Sequence, residues 1–210
     1  MCKDYALNMD SERFLLELNG LEDWPPAAWK GPAPHFGPED HIRITDRGLL
    51  VHMKDDRLGV ELLPWAWEDR GHYLFNLCVE KRSLGKSIRC LIAATGFYIY
   101  TMPTHPGQQQ DQHLFRLKGR DWFWIAGIIR HGAFAMLTRT YAAMPSMRHR
   151  QVCILPPEAG LNWLKSADAG PDLLTPLSKP AFEVRVLRKN RATESRHAMQ
   201  ARTASASASP

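Results

Sequence analysis

The stretch FNLCVEKRSLGKSIRCLIAATGFYIY, residues 75–100, decides how the chain is read. Tyr73, Leu74 and Phe75 lead an apolar run into a single asparagine, Asn76. Residues 90–94 are an apolar run of strand length, Thr95-Gly96 is a turn signal, and residues 97–100 predict a further strand. Between Asn76 and those strands stand Lys81, Arg82, Lys86 and Arg89, with Gly85 to bend the chain. A short basic loop hung between buried strands suits contact with phosphate. The same loop also reads as a solvated hairpin turn.

Outward from this stretch the pattern is one of short strands. Residues 49–53 and 58–63 flank Lys54-Asp55-Asp56-Arg57, a hairpin signal. Residues 113–117 and 122–129 read as another pair around Lys118-Gly119-Arg120, followed by strands at 134–138, 152–155 and 182–187. Towards the N-terminus, residues 3–9 suit a strand. Asp10-Ser11 is a helix N-cap, with Phe14, Leu15 and Leu18 on one face and Gly20 at the end. Residues 24–38 form a proline-rich loop, Gln108-Gln109-Gln110 marks a flexible one, Pro156-Pro157-Glu158 opens a short helix ending near Leu164, and Asp172 is placed to start another. The class predicted is α+β, a mostly antiparallel sheet curled towards a barrel, with a few short helices.

At 210 residues the chain suits one domain, residues 1–187, with an Arg-, Ser- and Ala-rich disordered tail, residues 188–210. The tail holds Arg188, Lys189, Arg191, Arg196 and Arg202 against Glu194, and so carries most of the net charge of +5. Basic composition therefore describes the tail and does not by itself argue that the domain binds nucleic acid. Cys2, Cys78, Cys90 and Cys153 show no C-x-x-C pairing and the nine histidines are scattered, so no metal site is expected. Cys90 and Cys153 lie in apolar runs and read as inert core residues. Unpaired cysteines, the lack of a signal peptide and the lack of an apolar run of ~20 residues predict a cytoplasmic protein away from the membrane.

The N-terminus adds chemistry. Once methionine aminopeptidase removes Met1, as a small second residue permits, Cys2 carries a free amine and a free thiol. These two nucleophiles are spaced to close a five-membered ring on an aldehyde. Several further segments occur in order: Met1-Cys2, Asn76 with Val79-Glu80, Arg89-Cys90-Leu91-Ile92 and Gly96-Phe97-Tyr98. Ala126-Gly127-Ile128, Ala135-Met136-Leu137-Thr138, His149-Arg150, Ile154-Leu155-Pro156-Pro157-Glu158 and Trp163-Leu164 continue the series. Together they resemble the SRAP (SOS response-associated peptidase) family of abasic-site processing proteins, from residue 2 to about residue 187.

The resemblance implies a partner, single-stranded DNA with abasic sites, no cofactor and a monomeric protein. It implies that Cys2 captures the sugar aldehyde, first as a Schiff base through the amine and then as a thiazolidine through the thiol. Asn76 matches the family's active-site asparagine, and Pro38 stands where members carry a proline beside the lesion pocket. Trp65 and Trp67 stand where members present aromatics to bases. His149 is the candidate for the family's histidine, although counting back from Pro156 puts Arg148 there instead. Arg148 and Arg150, with Lys81, Arg82, Lys86 and Arg89, are candidate DNA contacts.

Two positions depart from the family. Cys78 stands where members present an arginine to the backbone, and Ile99 where they place a glutamate that moves protons during sugar-ring opening. Isoleucine transfers no proton, and such help is typically worth ~10²–10⁴ in rate, so slow capture is expected. Three alternatives stay open: a non-catalytic DNA-binding member, a peptidase limited to removing Met1, and an N-terminal-nucleophile hydrolase of glutaminase type using Cys2. The last wants a glycine where Lys3 stands.

Overall fold

The computed structural model describes residues 2–29, 32, 34–80, 84–85, 87–100, 110–140, 150–165 and 171–188. Strand β1 (Asp4–Leu7) precedes helix α1 (Ser11–Asn19), and β2 (Ala27–Trp29), β3 (Glu39–Arg43), β4 (Arg47–Lys54) and β5 (Arg57–Pro64) follow. Next come β6 (Trp67–Asp69), β7 (His72–Leu74), β8 (Asn76–Cys78), β9 (Ile88–Ala94) and β10 (Gly96–Tyr100). The chain ends with β11 (Gln112–Leu117), β12 (Phe123–Arg130), β13 (Ala133–Thr140), β14 (Arg150–Val152), β15 (Ile154–Leu155), helix α2 (Gly160–Lys165) and β16 (Phe182–Arg188). The tail from residue 189 and the glutamines at 108 and 109 lie outside the described residues.

Two curled, open sheets dominate. One runs β16-β11-β10-β1-β3; the other runs β14-β13-β12-β9-β4-β5-β2, with β15 beside β12 and β8 beside β13. The described pairings are antiparallel except β8 on β13, β2 on β5 and a single bridge between Trp65 and Phe134. The architecture is the α+β, mostly antiparallel one expected from the strand pattern.

The sheets pack face to face over an aromatic core. Phe97 of β10 stacks on Phe115 of β11 at 5.1 Å and meets Phe123 of β12 edge-on at 6.3 Å. The far side of the larger sheet is covered as well. Phe14 of α1 meets Trp122 and Trp124, Trp24 stacks on Trp124 at 5.7 Å, and Trp163 of α2 donates Nε1 to Cys90 O at 3.0 Å. Cover on both faces explains why β9 and β12 are nearly continuous apolar runs rather than alternating ones.

The local signals behave as their chemistry dictates. Asp10 accepts from Arg13 N at 2.8 Å and caps α1, whose Phe14 and Leu18 are buried. Asp55 and Asp56 close the β4–β5 hairpin with φ of 49° and 58°, the paired left-handed turn that matches strand twist. Three expectations are corrected. Residues 113–117 and 122–129 do not pair with each other, because β11 joins the smaller sheet and β12 the larger. Thr95 is likewise a crossing point, passing the chain from β9 in one sheet to β10 in the other. The proline-rich loop contains β2, held by parallel bonds to β5.

Candidate functional site

β1 brings Cys2 into the smaller sheet between β10 and β3, and the entry is fixed from the opposite sheet. Tyr5 is fully buried and packs edge-on against Trp65, centroids 5.5 Å apart. Phe75 O accepts from Trp65 Nε1 at 2.9 Å and from Met136 N at 3.0 Å, which sets the position of the next residue. That residue is Asn76, and its Nδ2 donates to Cys2 O at 2.7 Å. Its Oδ1 is buried with no hydrogen-bond partner among the described residues. One end of the amide is thus engaged and the other is open to a further partner.

Cys2 is 4% exposed, and its Sγ donates to Asp4 O at 3.2 Å. Burial pushes the thiol up to about 12, outweighing the opposite pull of that hydrogen bond. The sulfur therefore keeps its proton at neutral pH. A freed α-amine, ordinarily near 7.7–8.0, is then the better nucleophile of the residue. Burial likewise raises Cys90, and takes Cys153 to about 12, as inert core thiols should be.

Phe97 and Ile99 of β10 belong to the same buried cluster as Cys2, while Tyr98 and Tyr100 lie on the other face with Ala6 and Leu114. On that outer face Asp4, 2% exposed, accepts from Tyr100 Oη at 3.0 Å and pairs with His41 Nδ1 at 2.9 Å. His41 stacks on Tyr98 at 4.8 Å. This network ties β1 to β3 and β10 directly behind the Cys2 entry.

Beyond Asn76, Cys78 Sγ donates to Glu80 Oε2 at 3.0 Å, Thr140 N donates to Glu80 Oε1 at 2.8 Å, and Arg139 Nε lies 3.6 Å away. Partial burial alone would raise the Glu80 carboxyl, but these donors hold it down to about 2. Cys78 is thus a neutral thiol turned onto a carboxylate, at the place where the resemblance implied an arginine.

Of the other residues singled out from sequence, Pro38 is exposed in the loop before β3. Trp65 and Trp67 are core residues: Trp65 is fully buried and stacks on Phe134 at 6.2 Å, and Trp67 is 6% exposed. Neither offers a free ring face to a base, because both are turned inward, Trp65 where it bridges Phe134 between β5 and β6 and Trp67 at the start of β6. Arg89 lies with Cζ 4.4 Å from the Trp163 ring centroid and donates to Trp163 O, which commits it to α2. Arg150 is half-buried and donates to Thr138 Oγ1, with its Nε buried and unpartnered among the described residues. Lys81, Arg82, Lys86, Arg148 and His149 lie outside the described residues. No group of three metal-ligating side chains converges among the described residues.

Sequence reasoning missed the Asp4–His41–Tyr100 network, the Glu80 clasp and His113, which pairs directly with Ile99 across β10 and β11. A cleft of about 390 Å³, lined by Asn8, Arg13, Thr95, Arg116 and Arg120, opens at the far end of β1 from Cys2 and holds none of the candidate residues.

The model of the SOS response associated peptidase (SRAP) family matches residues 79–192. Among solved structures, a phage-related protein from Bordetella bronchiseptica is similar at 22% identity and TM-score 0.68, over 90% of this chain and 95% of its own. A protein from Bacteroides thetaiotaomicron is similar at 16% identity and TM-score 0.66, over 90% and 93% respectively. A second Bordetella bronchiseptica protein is similar at 16% identity and TM-score 0.64, over 90% of this chain and 100% of its own. These likenesses extend the shared fold over the N-terminal part that the family match does not reach. No curated protein sequence matches the chain.

Proposed function

The chain belongs to the SRAP family, associated with the SOS response to DNA damage, and from that premise we propose that it binds single-stranded DNA and captures abasic sites covalently through Cys2. The observation that carries this reading is the 2.7 Å contact from Asn76 Nδ2 to Cys2 O, which joins the two candidate residues 74 positions apart in sequence. An amide that grips the carbonyl of residue 2 orients both the α-amine and the side chain of that residue. Orientation is what an intramolecular ring closure exploits.

The chemistry begins with removal of Met1. The Cys2 amine adds to C1′ of the open-chain sugar, and the carbinolamine loses water to leave an imine. Sγ then bonds to the imine carbon while the thiol proton passes to nitrogen, closing a thiazolidine with net release of one water. The raised thiol supports this order, amine first and sulfur second. Asn76 Oδ1, buried and unpartnered, is free to accept from a sugar hydroxyl or from the amine. Pro38 and the basic residues Lys81, Arg82, Lys86, Arg148 and Arg150 are the proposed strand contacts, with His149 as the family's histidine.

Ile99 favours a second reading, a DNA-binding member without covalent chemistry, because this buried side chain transfers no proton. Cys2→Ser separates the two. That variant lacks the thiol but keeps a free α-amine on its serine once Met1 is removed, so borohydride should trap its adduct with abasic DNA while the untrapped adduct falls apart. Binding that Cys2→Ser and Cys2→Ala both retain, with no trapped species from the wild type or Cys2→Ser, would establish the non-covalent reading.

A further inference from the structure

We propose that His113 takes the proton-transfer role for which Ile99 has no chemistry; the inference rests on the abasic-site reading above and names a further catalytic residue within it. His113 stands directly opposite Ile99 in the β10–β11 register, so both side chains leave the same face of the smaller sheet. Alternation puts Phe115, two residues on, on that face as well, and Phe115 and Ile99 belong to the buried cluster that contains Cys2. His113 Nε2 is buried and has no hydrogen-bond partner among the described residues. Leaving such a nitrogen unpaired is costly, and a purely structural histidine would avoid that by bonding a neighbour.

Its location suits a substrate group. On one side Ile99 is 5% exposed, and on the other Val186, paired with His113 in β16, is 41% exposed. His113 therefore stands where this face passes from sealed core to open surface. β11 lies two inter-strand spacings, roughly 10 Å, from β1, with β10 and Ile99 between them.

In the proposed step, neutral His113 Nε2 takes the proton of the C1′ hydroxyl as the C1′–O4′ bond breaks. The electron pair of that O–H bond becomes the carbonyl π bond, and the pair of the broken C–O bond stays on O4′. The imidazolium returns the proton to O4′, giving the aldehyde and a 4′ hydroxyl with no change of oxidation state. The paired residues, Ile99 and Val186, carry no titratable group. Tyr98, Tyr100, Arg116, Glu183 and Arg185 alternate to the other face. Cys2 and Tyr5 of the neighbouring N-terminal segment share the buried cluster with Ile99 and Phe115, and burial raises both the Cys2 thiol and the Tyr5 phenol.

The test uses the full chain and a single-stranded oligonucleotide with one abasic site, following adduct formation against pH alongside thermal melts. His113→Gln should slow capture by about 10²-fold, within the usual range for general acid–base catalysis, with an unchanged melt. It should also change the shape of the pH–rate profile, which a merely structural change at this position would leave as it is. Ile99→Glu in the His113→Gln background should restore the rate, and added imidazole should restore it in part. His113→Asn serves as the second variant and should behave like His113→Gln. A wild type that captures DNA while both His113 variants keep its rate, or slow it with an unchanged pH profile, overturns the role of His113 and leaves the parent reading standing. A wild type that forms no adduct overturns both.

Discussion

Glu80 shows how one residue holds the rim of the site. Its carboxylate collects Cys78 Sγ, Thr140 N and Arg139, joining the end of β8 to the end of β13. The folded chain holds the carboxyl at about 2 against an ordinary 4.5. A depressed carboxyl contributes stability above the unfolded value and loses it as the group protonates. The contribution should be complete above about pH 4.5 and vanish as pH falls through about 2, and solvent reduces it because a third of the side chain is exposed. A carboxyl-carbon NMR titration should place Glu80 below pH 3, and Glu80→Gln should flatten the fall in melting temperature between pH 4.5 and 2. A midpoint at the ordinary glutamate value would contradict the clasp. None of this was legible in Val79-Glu80 alone, because two of the three donors come from a strand about sixty residues away that the sequence does not pair with β8.

At the scale of elements, the position of β1 depends on a close approach that a side chain would forbid. A Cβ at Gly48 in β4 would lie 2.1 Å from Tyr5 Oη and 2.8 Å from Phe134 Cζ. Both rings are fully buried and hemmed by Trp65, so neither can swing away. Gly48→Ala should therefore push β1 and Cys2 out of place. The expected loss is about 1–3 kcal/mol, typical of overpacking, or several degrees in a thermal melt at this chain length, with slower capture of abasic DNA. An unchanged melt would show that β1 does not rest on this contact. The strands were legible from their apolar runs, the β4–β5 hairpin from Asp55-Asp56 and α1 from its cap. Their partners were not. Apolar runs such as residues 90–94 and 122–129 report burial on both faces and carry no pairing information, so β9 to β10 and β11 to β12 read as neighbours when each step changes sheet.

At the scale of the molecule, two sheets pack face to face and bring residues 2, 76 and 99 to one region from three distant parts of the chain. Cys2 and Asn76, which the structure joins by a hydrogen bond, were singled out through their resemblance to a family. His113 was not, since a lone histidine in an alternating strand carries no signal until the register sets it opposite Ile99. Trp65 and Trp67, which stand where the resemblance implied aromatics presented to bases, are buried in the core. The central claim is that residue 2 is a covalent trap, and intact mass of the purified chain after incubation with abasic single-stranded DNA tests it most directly. The account predicts protein without Met1, and a product whose mass is protein plus DNA less one water, stable without borohydride and missing in Cys2→Ala. Met1 quantitatively retained on protein that still forms the adduct, or the same adduct from Cys2→Ala, would contradict it.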